Sequence, residues 1–333
     1  MQDGILSAIG KTPLVSLRRV YKEINFNLYG KLELLNPGGS IKDRPAFNIV
    51  RHAIEVGAID SDTVVVESSS GNMGIGLSLA CSYYGLRFIC VVDPKTTTTN
   101  LRLLRAYGAE VDFVDKPDPV TGEFLQARIN RVKELLRIIP NSFWPNQYAN
   151  EHNPEAHHNT MREVAEDLGG QVDFLLCATS TCGTLRGCSE YIRRHGLRTK
   201  VYAVDAVGSV IFGGQKLKRL LPGHGAAVVP PLFNDGLADG YIHVSDLDCV
   251  VGCHRLAALE ALLVGASSGG IIRAVERLAP KIPEGSNCVV LLADRGERYL
   301  DTIFSERWVR EHFGDVTHLG VKQVEDERCA MTA

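Results

Sequence analysis

"TVVVESSSGNMGIGLSLACSYYG", residues 63–85, decides the architecture. A short apolar run rich in Val passes into a turn of small hydroxylated residues, Gly and Asn, and then into an amphipathic stretch closed by Gly85. That is strand, turn, helix. The unit recurs along the chain. "RFICVVD", "VDFV", "DFLLCAT", "KVYAVDA" and "NCVVLLAD" read as further strands covered on both faces, while "LQARINRVKELLR", "TLRGCSEYIRRHG" and "IIRAVERLA" read as helices. Alternation of this kind predicts an α/β protein of two doubly wound, three-layer α/β/α domains. Three strand–helix units precede the polar, aromatic-bearing connection "NSFWPNQYANEHNPEAHH" at 141–158, which divides the chain into residues 1–149 and 150–314. Residues 315–333 lack either period and are expected to form a loosely ordered tail.

The 333 residues carry a formal net charge of -3 and are 45% hydrophobic, enough for a sizeable core and without a basic patch for nucleic acid. No apolar run is long enough for a membrane span, and "MQDGILSAIGKTP" is no signal peptide, so a cytoplasmic protein with a small-molecule partner is expected. The nine cysteines contain no CxxC pair and read as free buried thiols. "CVVGCH" at 249–254 has no second ligand cluster, and no metal site is expected.

In doubly wound folds, ligands sit beyond the carboxyl ends of the strands. Three turns there are built for anions: 68–74 "SSSGNMG", 179–184 "TSTCGT" and 266–270 "ASSGG", the last read as following a strand "LLVG". A fourth stretch, "NPGGSIKDRPA" at 36–46, places Lys42 in the first turn of a helix, where the dipole disfavours cations. With Arg44 nearby, the ammonium form of Lys42 is expected to be disfavoured, making the amine a nucleophile toward an aldehyde and a usable base. A lysine facing one cradle for a phosphate and another for a carboxylate describes pyridoxal phosphate with an amino-acid substrate. "GNMGIG" at 71–76 is the main decoy for a nucleotide-dependent oxidoreductase. Its glycines are out of order for that fingerprint, and Lys42 would be left without a role.

"NPGGSIKDRPA", "ESSSGNMG", "TSTCGTLRG", "LLVGASSGG" and "ADRGERYLD" stand in the order and spacing of the cysteine synthase-like family of fold-type II pyridoxal-phosphate enzymes, which this chain resembles from "GKTPLVSL" at 10–17 to about residue 310. The resemblance implies the tryptophan synthase β-like fold, in which part of the first 35 residues crosses to the other domain, and a homodimer. It also implies roles. Lys42 is similar to the lysine that binds the cofactor aldehyde and later moves the substrate Cα proton, and Asn72 to the partner of the cofactor's ring hydroxyl. Ser180, Thr181, Cys182, Gly183 and Thr184 match the phosphate loop, with Cys182 where Gly is commoner. Ser267 matches the serine beside the pyridine nitrogen, whose neutral hydroxyl favours elimination and replacement at Cβ over transamination. Ser69, Ser70, Gly71 and Met73, with Gln147, match the loop that receives the substrate carboxylate. Met73 stands where cysteine synthases carry Thr.

One substrate clue is independent of that likeness. On the helix "GEFLQARINRVKELL", Phe124, Leu125, Ile129, Val132, Leu135 and Leu136 form an apolar arc with Arg128 near its middle. A guanidinium so placed needs an anion, supplied by a substrate or by a structural ion pair, unless its stem carries the charged head out to solvent. The resemblance puts Arg128, Tyr148 and Ser180 around the substrates' phosphate or carboxylate groups. The expected reaction is therefore β-replacement on O-phospho-L-serine by L-glutamate, of the kind used to build a siderophore. The alternatives are cysteine synthesis from O-acetyl- or O-phosphoserine, and a catalytically silent cofactor-binding regulator.

Overall fold

The computed structural model describes residues 4–320. Two strands come first, β1 (Leu14–Ser16) and β2 (Asn27–Leu32), followed by helix α1 (Asp43–Glu55). Then follow β3 (Val64–Ser68), α2 (Asn72–Tyr84), β4 (Arg87–Val92), α3 (Thr98–Ala106), β5 (Glu110–Phe113), α4 (Phe124–Ile138) and β6 (Ser142–Phe143). The second half runs α5 (His152–Asp167), β7 (Phe174–Ala178), α6 (Gly183–Arg194), β8 (Lys200–Ala206), β9 (Gly240–Val244), α7 (Asp246–Glu260), α8 (Ala266–Leu278), β10 (Asn287–Leu292) and α9 (Glu306–Phe313).

These strands make two sheets. The smaller, ordered β5-β4-β3-β6, is parallel throughout, and its central strands β3 and β4 are buried along almost their whole length. The larger, ordered β1-β2-β10-β7-β8-β9, is parallel except where β1 pairs antiparallel with β2. The early strands β1 and β2 thus belong to the same sheet as the late strands, because β2 pairs with β10 in register from Asn27 to Leu32. Helices cover both faces of each sheet, the parallel arrangement that continuous apolar strands require.

Three readings from the sequence are corrected here. The "LLVG" run is not a strand: only Val264 makes an isolated bridge, to Arg295. The connection at 141–158 contains β6 and the start of α5, a helix opened by "HNPE" and held against α1 and α6. Its pattern was masked by polar residues that face neighbouring helices rather than solvent, among them buried Asn153, His157 and Thr160. Of the expected tail, 321–333 lie outside the described residues, whereas Thr317–Leu319 form a 3-10 turn beside buried Val316.

Candidate active site

The carboxyl ends of both sheets converge on one cavity. Its lining includes Lys42, Asn72, Ser180, Thr181, Cys182, Gly183, Thr184, Ser267, Asp294 and Tyr299. Eight of these were singled out from the sequence for cofactor binding; Asp294 and Tyr299 were not.

Lys42 is the N-cap of α1, one residue before the first helical turn. Burial holds its amine below the ordinary lysine value, against the opposing influence of Asp294 and Cys182. Arg44 has no part in this, contrary to expectation. Its guanidinium is turned away into a buried network, donating to Glu33 Oε2 at 2.7 Å and Oε1 at 2.8 Å and to Glu163 Oε1 at 2.8 Å and Oε2 at 2.7 Å. The shift at Lys42 comes from desolvation and not from a second cation repelling its proton.

Asn72 opens α2 directly after the serine turn. Its Nδ2 donates to Asp294 Oδ2 at 2.8 Å, and its Oδ1 accepts from Arg298 Nη1. Across the cavity, the 180–184 loop turns into α6. Cys182 adopts φ +65°, the left-handed region where a Cβ is costly, which accounts physically for the frequency of Gly at that position. Its thiol is buried and pushed up to about 12 by desolvation. The loop is backed by residues that carry no signature in the sequence. Asn153 Nδ2 lies 3.4 Å from Thr181 Oγ1, and buried His157, held neutral by burial, lies 3.2 Å from Thr184 Oγ1. Ser267 sits in the first turn of α8.

Of the predicted substrate residues, Ser180 is in the cavity lining, whereas Ser69, Ser70, Gly71, Met73, Arg128, Gln147 and Tyr148 are not. Ser69 Oγ accepts from Gly74 N at 2.9 Å, Ser70 O accepts from Asn100, and Gln147 Nε2 donates to Ser68 O at 3.1 Å. The Met73 side chain is buried in the core beneath β3 and β4, which leaves its backbone as the part able to face the turn. Arg128 is buried with its Nε 3.3 Å from Asp93 Oδ2, yet Nε and Nη1 have no hydrogen-bond partner. Its charge acts on half-buried Tyr148 and on Glu67, a carboxyl pushed up to about 7 by burial although Trp144, Ser68 and Gln147 donate to it. Among the described residues no group of His, Cys, Asp and Glu is placed to hold a metal ion, and Cys249 and Cys253 are buried on α7.

A cavity with a desolvated lysine, a helix N-terminus ringed by small hydroxyl residues, a carboxamide and a neutral hydroxyl has the parts that an aromatic aldehyde bearing a phosphate requires, and these define a pyridoxal-phosphate enzyme. The chain belongs to the pyridoxal-phosphate dependent enzyme family, whose model matches residues 5–294. Among solved structures, the O-acetylserine dependent cystathionine beta-synthase from Helicobacter pylori is 32% identical with a TM-score of 0.83, over 90% of this chain and 97% of that one. O-acetyl serine sulfhydrylase isoform 3 from Entamoeba histolytica is 32% identical with a TM-score of 0.84, over 90% of both chains. An O-ureido-L-serine synthase is 28% identical with a TM-score of 0.85, over 98% of both chains. No helix among the described residues is long and apolar enough to cross a membrane.

Proposed function

We propose that this enzyme performs β-replacement on an activated L-serine, joining O-phospho-L-serine and L-glutamate to give N-(2-amino-2-carboxyethyl)-L-glutamate and phosphate, the reaction of a synthase in staphyloferrin B-type siderophore biosynthesis. Bound pyridoxal phosphate supplies an electrophilic aldehyde and an electron sink for the substrate Cα. The residues around it divide the remaining work. Lys42, whose amine burial holds below the ordinary lysine value, attaches the cofactor and carries the proton to and from Cα. Backbone N–H groups of 181–184 at the start of α6 receive the phosphate, and Ser267 offers the ring nitrogen a neutral hydroxyl. The turn at 69–71, with the Met73 backbone and Gln147, orients the substrate carboxylate; Tyr148 and Ser180 complete the walls. A homodimer, carried over from the resemblance, and a cytoplasmic location, expected from the sequence, are part of the same reading.

The observation that carries the substrate assignment is Arg128. A buried guanidinium whose Nε and Nη1 lack hydrogen bonds retains donors for a second anionic group, and a bidentate contact with phosphate or carboxylate is the geometry arginine serves best. Arg128→Ala should lower kcat/KM for O-phosphoserine with glutamate by ~2 to 4 kcal/mol, and reduce a neutral activated serine with sulfide less. Arg128→Lys should restore part. The ion pair to Asp93 favours a second reading, cysteine synthase, in which Arg128 is structural. In that case Arg128→Ala melts several degrees lower with unchanged kinetics on the anionic pair, and sulfide outcompetes glutamate in product analysis by mass.

A further inference from the structure

The Asn72 side chain is held at both ends by residues from the other sheet's carboxyl edge. Asp294 follows β10, and Arg298 lies in the 3-10 turn Gly296–Tyr299 just beyond it. Asn72 Nδ2 gives one hydrogen to Asp294 Oδ2 at 2.8 Å, while Arg298 Nη1 donates to Asn72 Oδ1. Asp294 is itself fixed, its Oδ2 also accepting from Tyr299 OH at 2.8 Å. Arg298 Nη2 donates to Gly38 O, in the turn that leads to Lys42.

Turning the amide over would set its oxygen against the Asp294 carboxylate and its NH2 against the Arg298 guanidinium, replacing two charge-assisted hydrogen bonds by two repulsions. The orientation is therefore fixed by charge and not by packing alone. Of the two amide hydrogens, one is taken; the other is what Asn72 has left to donate inside the cavity it lines. We propose that Asp294 and Arg298 are positioning residues that lock Asn72 as a hydrogen-bond donor, so that the ring oxygen of the bound cofactor is received as an acceptor and held ionised. The inference rests on reading Asn72 as the partner of that ring oxygen. It adds a second consequence: because Arg298 also grips Gly38, one side chain sets both the polarity of Asn72 and the path of the backbone into Lys42.

The test uses purified enzyme loaded with pyridoxal phosphate and follows two quantities. These are the balance between the cofactor's long- and short-wavelength absorption bands across pH, which reports ionisation of the ring oxygen, and the Kd for pyridoxal phosphate of the stripped protein. Arg298→Met keeps the stem but removes the donors. It should move the balance toward the short-wavelength band and weaken cofactor binding by ~10- to 100-fold, the range for a lost charged hydrogen bond. Arg298→Lys should recover part of the spectrum, since an ammonium can satisfy Asn72 or Gly38 but not hold both in one plane. Asp294→Asn, which removes the charge at similar volume, should shift the bands in the same direction and serves if Arg298→Met does not fold. Asn72→Ala separates the two layers of the argument. An unchanged spectrum in Asn72→Ala would mean that Asn72 does not face the ring oxygen, and the underlying reading fails. If Asn72→Ala shifts the bands while Arg298→Met and Asp294→Asn lower only Tm or affinity at a constant band ratio, the two residues are merely structural and the proposal is overturned.

Discussion

Cys182 and Lys42 show how single positions carry opposite costs. A non-glycine residue at φ +65° is destabilised by its Cβ, and nothing in the loop's hydrogen bonding asks for a thiol there. Cys182→Gly should raise stability by about 1 kcal/mol, less whatever is lost with the buried sulfur, and leave cofactor affinity within a few-fold, since the proposed phosphate contacts come from backbone N–H groups. A denaturant midpoint and a cofactor titration check this together. At Lys42 the cost is burial of an amine, which the proposed role as cofactor-binding base would use. Lys42→Ala should abolish borohydride-stable attachment of the cofactor and cut turnover by orders of magnitude. Cofactor retained covalently on the peptide spanning residue 42 after reduction would contradict the assignment.

At the scale of elements, the phosphate loop depends on how closely α5 and α6 approach. A Cβ added at Gly187 would come 2.0 Å from the backbone carbonyl oxygen of Pro154, and one at Gly183 would come 2.1 Å from Asn153 Oδ1. Backbone cannot move aside as a side-chain tip can, so the two helices are in contact because Gly187 permits it. Gly187→Ala should push α6 away from α5, costing roughly 1 to 3 kcal/mol as overpacking does. It should also weaken pyridoxal-phosphate binding, because it displaces the N-terminus of α6, which lines the cavity and is the proposed phosphate cradle. Thermal melts with and without the cofactor would read both effects. Cofactor affinity unchanged in a destabilised variant would detach the loop from the helix packing.

Across the whole molecule, the chain's beginning and middle are tied by buried charges. Lys31 on β2 donates to Thr12 O at 2.6 Å and pairs with Glu163 on α5 at 3.0 Å, and Glu163 also accepts from Arg44 on α1, which holds Glu33. Removing one partner from such a network strands the others, and Glu163→Gln should cost roughly 3 to 5 kcal/mol. Burial alone would raise the Glu163 carboxyl, but Arg44 and Lys31 bring it down to about 2. Because this folded-state value lies below the ordinary one, its contribution is complete above pH ~4.3 and is lost as pH falls toward about 2. Acid unfolding of the native chain should steepen in that window, and Glu163→Gln should flatten it. Equal acid slopes in the two proteins would show that the network is not what titrates.

The sequence by itself determined the class of fold, because a buried parallel strand must be apolar on both faces and "TVVVE", "RFICVV" and "NCVVLL" are. It also pointed to residues that line the cavity, since turns of small, hydroxylated residues at helix starts are local chemistry, written within a few positions of one another; the individual roles proposed for them come from the family resemblance. Met73 could not be read that way: it follows the serine turn directly, but helix α2 rotates its side chain into the core. Arg44 looked like a neighbour of Lys42 in sequence and is sent by the helix toward Glu33 and Glu163. β2 joined the far sheet because β10, more than 250 residues on, supplies its hydrogen bonds. Asp294 and Arg298 came to Asn72 from 222 and 226 residues away. Such partners are chosen by tertiary packing: sequence periodicity records which face an element buries, and only the folded chain decides which buried polar groups meet there.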